Sequence, residues 1–130
     1  MAQYGHLTTL DAAECRLLLA TRTFGRVGWN SASGVQILPV SYGLVDDTIV
    51  LRTQAGSPLA ELVHPLEVSF QVDDLDAETS TGWSILVHGR SGAPVGRLPA
   101  NMPDPWAPGE RPLVIGIAAD HYAGRSIAAS

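Results

Sequence analysis

FGRVGWNSASGVQILPVSYGLVDDTIVLRT, residues 24–53, is the stretch on which the fold turns. Phe24 to Trp29 reads as a strand. Asn30 to Gly34 is a turn of small polar residues, and Val35 to Leu44 is a second strand, so the two form a hairpin. Val45-Asp46-Asp47 makes the next turn and Thr48 to Thr53 a third strand. Three strands joined by short turns within some thirty residues predict an antiparallel meander, which needs barrel closure or a second sheet to protect its edges. Pro39 lies inside the second strand, where it cannot donate to a ladder. It must sit at an edge, at a bulge or facing a ligand. Ser41 and Tyr42 place hydroxyls beside it, as a pocket wall would need.

The meander runs into Leu51 to Leu59, LRTQAGSPL. A strand that carries Arg52 and Thr53 turns through Ala55 and Gly56 and opens a helix at Ser57 and Pro58. Ser57 suits an N-cap, its hydroxyl accepting from N–H groups one turn in, and Pro58 suits the first helical position because its φ is already set. A well-capped surface helix satisfies this stretch. So does an anion site, because several N–H groups point at one spot.

Outward from this centre, Thr8 to Arg22 is expected to be a helix that plugs one end of the sheet. Asp11 and Glu14 give its cap, and Leu10, Ala13, Leu17 and Leu18 recur at helical spacing. Pro58 to Val63 is a short helix stopped at His64-Pro65. Glu67 to Asp73 alternates Val68, Phe70 and Val72 with polar residues, the pattern of a half-buried strand. Asp73 to Glu78 reads as a solvated acidic loop without the spacing of a calcium site. Thr81-Gly82-Trp83 opens a fifth strand, Ser84 to Val95, whose consecutive Ile85, Leu86 and Val87 predict burial on both faces. Gly96 to Gly109 is irregular, Leu113 to Ala118 is the last strong strand, and residues 121–127 continue it after a bend.

The 130 residues match one domain spanning 1–130, long enough to bury a core without disulfides or metal. Thirteen acidic residues stand against eight basic ones, all Arg, for a net charge of −5. No run of cations offers a track for a polyphosphate backbone, so a nucleic-acid partner is not expected. The one cysteine, Cys15, excludes an internal disulfide and, lacking an activating neighbour, reads as a packing residue. The four histidines form no close-spaced ligand pair with it, so no metal site is expected. No apolar run reaches membrane-spanning length and the N-terminus carries no leader pattern, so the expected location is cytoplasmic.

The order of motifs carries a resemblance: ECRLL at 14–18, FGRVG at 24–28, LPVSY at 38–42, LRTQAGS at 51–57, FQVDD at 70–74, TGWSILVHG at 81–89, WAPGER at 106–111 and AGRSI at 123–127. Together they resemble the pyridoxamine 5′-phosphate oxidase-like flavin-binding split-barrel proteins, in particular their small bacterial branch, over residues 7–127. The resemblance implies a mainly β (α+β) fold, a six-stranded antiparallel split β-barrel with an N-terminal helix and short connecting helices. It implies a homodimer with FMN at the subunit interface and a small-molecule substrate. The strand with Leu38, Pro39, Val40 and Ser41 would run along the isoalloxazine ring, and Arg52, Thr53, Gly56 and Ser57 would approach the ribityl phosphate. Trp83, Ser84, Trp106 and Arg111 match positions near the ring or contributed across the dimer. Each tryptophan is equally satisfied as a large core or interface side chain.

The chain departs from the family after Gly56-Ser57, where relatives commonly carry Lys or Arg and Pro58 and Leu59 stand here. The site has thereby lost a cation and one backbone donor. The expected function is a flavin-dependent oxidoreductase. Authentic pyridoxamine phosphate oxidation is not expected, because the longer C-terminal substrate-binding part of the true oxidases has no counterpart in these residues. The alternatives are a deazaflavin-dependent reductase, or a non-catalytic, cofactor-depleted dimer that sequesters a flavin or tetrapyrrole.

Overall fold

A computed structural model describes residues 6–94, 109 and 113–128. Eight strands and two helices follow in the order β1 (His6–Leu10), α1 (Ala12–Leu19), β2 (Phe24–Ser31), β3 (Gly34–Ser41), β4 (Gly43–Val45), β5 (Thr48–Thr53), a 3-10 helix (Pro58–Val63), β6 (Glu67–Asp76), β7 (Thr81–Gly92) and β8 (Leu113–Ala128). The strands pair antiparallel in the order β3-β2-β6-β7-β8-β5-β4, with β1 added to the far half of β8. The strip curls into a half-barrel around Val27, Leu51, Phe70, Ile85, Val87, Ile115 and Ile117, all buried. The expected split barrel is thus present, with eight strands among the described residues in place of six. Residues 96–108, expected to be irregular, lie outside the described residues except for that reading's last position, Gly109.

Two features account for the extra strands. The expected helix from Thr8 starts at Ala12, because His6–Leu10 pairs with β8 from Leu7↔Ile127 to Leu10↔Gly124. Thr8 and Thr9 are β-branched and suit this pairing. The helix then begins at the expected capping box, in which Asp11 Oδ1 accepts from Glu14 N at 2.8 Å and Glu14 Oε1 accepts from Asp11 N. The second break is at Tyr42, which divides the expected strand of residues 35–44. Its backbone N–H donates to Thr23 O, one step beyond the Phe24↔Ser41 pair, and its buried hydroxyl donates to Leu19 O at 2.5 Å. Tyr42 therefore fastens the meander to α1, its hydroxyl engaged at the helix end beside a small hollow that Arg22 and Leu44 also line.

The hairpin turns are tighter than expected. Ser31 pairs with Gly34, whose φ of +116° suits a residue without Cβ, so the first turn is Ala32-Ser33. The acidic run is a strand as far as Asp76, since Asp73–Asp76 pair with Thr81–Ser84 and Arg22 forms an ion pair with Asp74. In β7, Ile85 and Val87 are buried while Leu86 is half-buried, so one face is closed and the other partly open. The expected bend in the last strand is a β-bulge: His88 pairs with His121 and Gly89 with Ala119, leaving Asp120 unpaired. Among the described residues no helix is long and apolar enough to cross a membrane.

Candidate functional site

β3 is the edge strand of the order, which is where Pro39 is tolerated. Alternation along it sends Val40 into the core and packs Leu38 against it, while Val35, Ile37 and Pro39 stay exposed. Ser41 is half-buried opposite Phe24. Val35 and Ile37 are 72% and 65% exposed, so an apolar row lies open beside an unpaired strand edge. It borders a broad cleft of about 550 Å³ on the outer face of the sheet, lined in part by Gly28, Ser69, His88 and Asp120. There the His88 and His121 rings stack 6.3 Å apart, and Ser69 Oγ lies 3.3 Å from His88 Nδ1.

β5 carries Arg52 and Thr53 on opposite faces. Leu51 and Thr53 are buried, whereas Arg52 is half-buried and its Nε has no hydrogen-bond partner among the described residues. The turn that follows reaches Gly56 at φ +83°. Ser57 then departs from its expected role: its hydroxyl makes no cap hydrogen bond and instead lies 2.6 Å from Thr53 Oγ1. The helix it precedes is 3-10 rather than α, and only six residues long. Its first N–H is missing at Pro58, so the donors expected here are fewer than a full α-helical end offers.

Beside Ser57 lies a crevice of about 260 Å³, between the β2–β3 hairpin tip and the 3-10 helix. Trp29, Ser31, Gln36, Ser57, Pro58 and Glu61 line it. The Trp29 indole N–H donates to Glu61 Oε1 across it. Trp29 and Glu61 were invisible as a pair in the sequence, where 32 positions separate them. The signal available was the placing of Glu61 one turn after Ser57, which brings a carboxylate back to the helix start.

The structure brings Thr53, Gly56 and Ser57 together, turns the Arg52 side chain to the opposite face of β5, and sets Leu38–Ser41 on the open edge. Trp83 and Ser84 do not share a face. Trp83 packs against the core with the Arg22 guanidinium 5.9 Å from its ring, whereas Ser84 accepts from Gln71 Nε2 at 3.2 Å on the outer side. Trp106 and Arg111 lie outside the described residues. Gly109, between them in sequence, approaches the Gln54 side chain so closely that a Cβ would strike it. That contact brings Gly109 to the turn that follows β5. Cys15 is fully buried with its thiol pushed up by burial and then by Asp11 and Glu14, which agrees with a packing role. Among the described residues no group of three or more His, Cys, Asp or Glu could hold a metal.

The chain matches an uncharacterised protein of Mycobacterium tuberculosis, Rv0080, at 34% identity over 85 residues, which is 62% of this chain and 56% of that protein. The match spans little more than half of that relative. The FAD-binding protein of Mycobacterium smegmatis superposes with a TM-score of 0.71 at 26% identity, over 93% of this chain and 98% of that one. A Corynebacterium glutamicum protein named for pyridoxamine 5′-phosphate oxidase superposes with a TM-score of 0.78 over 100% and 98%, and at 21% identity speaks for the fold alone. The pattern that defines the pyridoxamine 5′-phosphate oxidase family covers residues 11–123. Helix α1, the meander, β6, β7 and most of β8 all fall within that span, and the chain belongs to this family of flavin-binding split barrels.

Proposed function

We propose that this chain is a flavin-dependent oxidoreductase working as a homodimer. Between two copies it holds the isoalloxazine, ribityl and phosphate unit that FMN and FAD share. One observation carries the reading: Arg52 Nε is buried without a partner among the described residues. A buried donor left unpaired costs about 1–3 kcal/mol, so an acceptor supplied from outside the chain accounts for its retention. Arg52 as a whole is half-buried, so a turn of its side chain would offer the guanidinium to a flavin phosphate or ring carbonyl, and in this respect the residues present fit the group.

The open β3 edge supports the same reading. Its free backbone groups and the exposed Val35 and Ile37 suit a flat, partly apolar ring and the surface of a second copy. In this reading the backbone of Leu38–Ser41 runs along the ring, and Arg52, Thr53, Gly56 and Ser57 lie at the ribityl phosphate. Ser84, Trp83, Trp106 and Arg111 line the ring or reach it from the second copy. A bound flavin supplies the hydride or electron transfer. The chain's residues orient it, donate hydrogen bonds to it and keep water away. The M. smegmatis relative, a FAD-binding protein, lends weight to a flavin. A second reading, a barrel that binds without turnover, draws on Pro58 and on the Glu61 carboxylate at the crevice.

The test is an absorbance spectrum of the freshly purified protein, followed by fluorescence titration with FMN, FAD and the deazaflavin and by sedimentation. A dimer that binds a flavin at about one per chain and passes electrons from a nicotinamide donor to an acceptor bears the proposal out. A dimer that binds flavin but never turns over favours the second reading. A protein that binds none of the three at tens of micromolar overturns both.

A further inference from the structure

Resting on the flavin reading, we infer that the broad cleft on the outer face of the sheet seats the electron acceptor, and that this acceptor is an uncharged, planar carbonyl compound of the quinone type. Its apolar ring lies over Gly28 beside Ile37, and its oxygen meets the imidazole of His88.

The register builds the site. Ile37 pairs with Gly28, Gly28 with Ser69, Ser69 with His88 and His88 with His121, so one row crosses five strands on the outer face. At one end stands the exposed, apolar Ile37. In the middle Gly28 leaves a trough. A Cβ there would have only Gln36 O at 3.5 Å and an Ile37 side-chain carbon at 3.7 Å within contact distance, so the space above it is open. Farther along, the His88 ring is held from two sides, by the Ser69 hydroxyl 3.3 Å from Nδ1 and by the His121 ring stacked on it. A hydroxyl that donates to Nδ1 leaves the hydrogen on Nε2, the nitrogen that Ser69 does not engage. The β-bulge that leaves Asp120 unpaired adjoins the same row, and bulges recur where a sheet re-aims side chains at a site.

The lining sets the charge of the ligand. Among the described lining residues Glu67 stands opposite Arg90 in the ladder and Asp120 adds a second carboxylate, so an anion is opposed. A cation gains little, because Glu67 is faced by Arg90 and Asp120 is exposed, where an ion pair is weak. At about 550 Å³ the cleft lies within the ~300–1,000 Å³ of small-molecule sites. Ile37 leads directly into Leu38–Ser41, so in the flavin reading the ligand lies beside the ring. Reduction of a quinone to a hydroquinone takes two electrons and two protons: a hydride from a flavin that a nicotinamide donor has reduced, then one proton from water in the open cleft. The second proton count is thereby closed, since the hydride carries the other with both electrons. The His88 N–H stabilises the negative charge that builds on the oxygen before the water proton arrives.

The experiment is equilibrium dialysis of the full chain at neutral pH, with and without saturating FMN. The probes are naphthoquinone, naphthalene, which lacks the oxygens, and naphthoquinone sulfonate, which adds an anion. The wild type, Gly28→Leu and His88→Phe are compared, and FMN affinity is titrated for each. The wild type is expected to bind naphthoquinone at tens of micromolar, the sulfonate about fivefold more weakly and naphthalene about two- to tenfold more weakly, the size of one hydrogen bond. His88→Phe keeps a ring against His121 and removes the N–H. Naphthoquinone then falls to the level of naphthalene, which does not change. Gly28→Leu fills the trough and costs both uncharged probes about tenfold or more, with FMN affinity preserved. Gly28→Ala, whose Cβ needs no neighbour to move, replaces it if the leucine variant fails to fold by circular dichroism. Naphthoquinone bound no better than naphthalene, or the sulfonate bound best, overturns the ligand class. Naphthoquinone affinity untouched by filling the trough overturns the site. Loss of FMN together with naphthoquinone in that variant makes the cleft the flavin's own, which overturns the inference and leaves the flavin reading standing. If the naphthoquinone pattern appears but no flavin binds to any of the proteins, the carbonyl site stands and the flavin reading falls, the acceptor role with it.

Discussion

Around α1 the polar groups that bridge elements are matched. Arg16 reaches Asp47 at 3.3 Å, Tyr122 donates to the same carboxylate at 2.8 Å, and Arg22 pairs with Asp74 while covering Trp83. Cys15 fills the space over Gly124, where a Cβ would come 2.5 Å from its Sγ. On the side of β3 and the 3-10 helix, Arg52 Nε has no partner among the described residues, Val35 and Ile37 stay exposed and a crevice stays open. The difference teaches where this small barrel keeps its stability. Each exposed ion pair is worth little alone, about 0–1 kcal/mol. Clustered on α1 and β8 with a closely packed core beneath, these contacts fix the closed end and leave the other side able to hold unmatched groups.

The largest effect is expected where the two regions share a core. Phe70 is fully buried and meets Tyr42 edge-on, ring centroids 5.0 Å apart. Phe70→Ala should lower unfolding free energy by about 3–5 kcal/mol in urea melts and loosen both regions together. Next comes the open side. Arg52→Met should leave the urea midpoint unchanged or slightly raised, because it removes a buried unpaired donor, and should weaken flavin binding about ten- to a hundredfold. A large fall in stability would mean that Arg52 belongs with the matched side after all. Gly124→Ala should do the reverse, costing about 1–3 kcal/mol through overpacking against Cys15 and Leu10 with flavin affinity preserved. Adding Cys15→Ala to that variant should return part of the loss.

The smallest effect is one of pH. Burial first, then the Asp47 hydrogen bond and charge, push the Tyr122 phenol from its ordinary 10 up to about 12. A raised folded-state pKa stabilises the fold fully below the unfolded value and loses that contribution as pH climbs through the folded one. Stability should therefore fall between pH 10 and 12, and Tyr122→Phe should make that limb shallower in urea midpoints taken across the range. Tyr42 is raised further still, by burial, so some alkaline loss should remain in the variant.

What could be read from the sequence was mostly local. The meander was visible because Ala32-Ser33-Gly34 and Asp46-Asp47 punctuate apolar runs, and the cap of α1 because Asp11 and Glu14 stand three apart. The alternation of Val68, Phe70 and Val72 revealed β6. β1 was hidden because its partner strand lies at the other end of the chain, and periodicity carries no record of so distant a pairing. The acidic end of β6 was mistaken for a loop because its pairing with β7 and the Arg22 partner of Asp74 are brought near by tertiary structure alone. That residues 38–41 and 52–53 lie on strands was legible from the apolar runs that contain them. The direction of the Ser57 hydroxyl was not, because a neighbouring hydroxyl on Thr53 competes with the helix cap. The opposed faces of Trp83 and Ser84 were within reach of the sequence, since adjacent residues of a strand point apart.

Pro39 has a consequence for assembly. An exposed strand edge flanked by apolar side chains is a template on which identical chains can add without limit. Proline withdraws one donor from that edge in the middle of β3, between Ile37 and Ser41. A continuous ladder from copy to copy is broken at that point, and open-ended addition along this side is disfavoured.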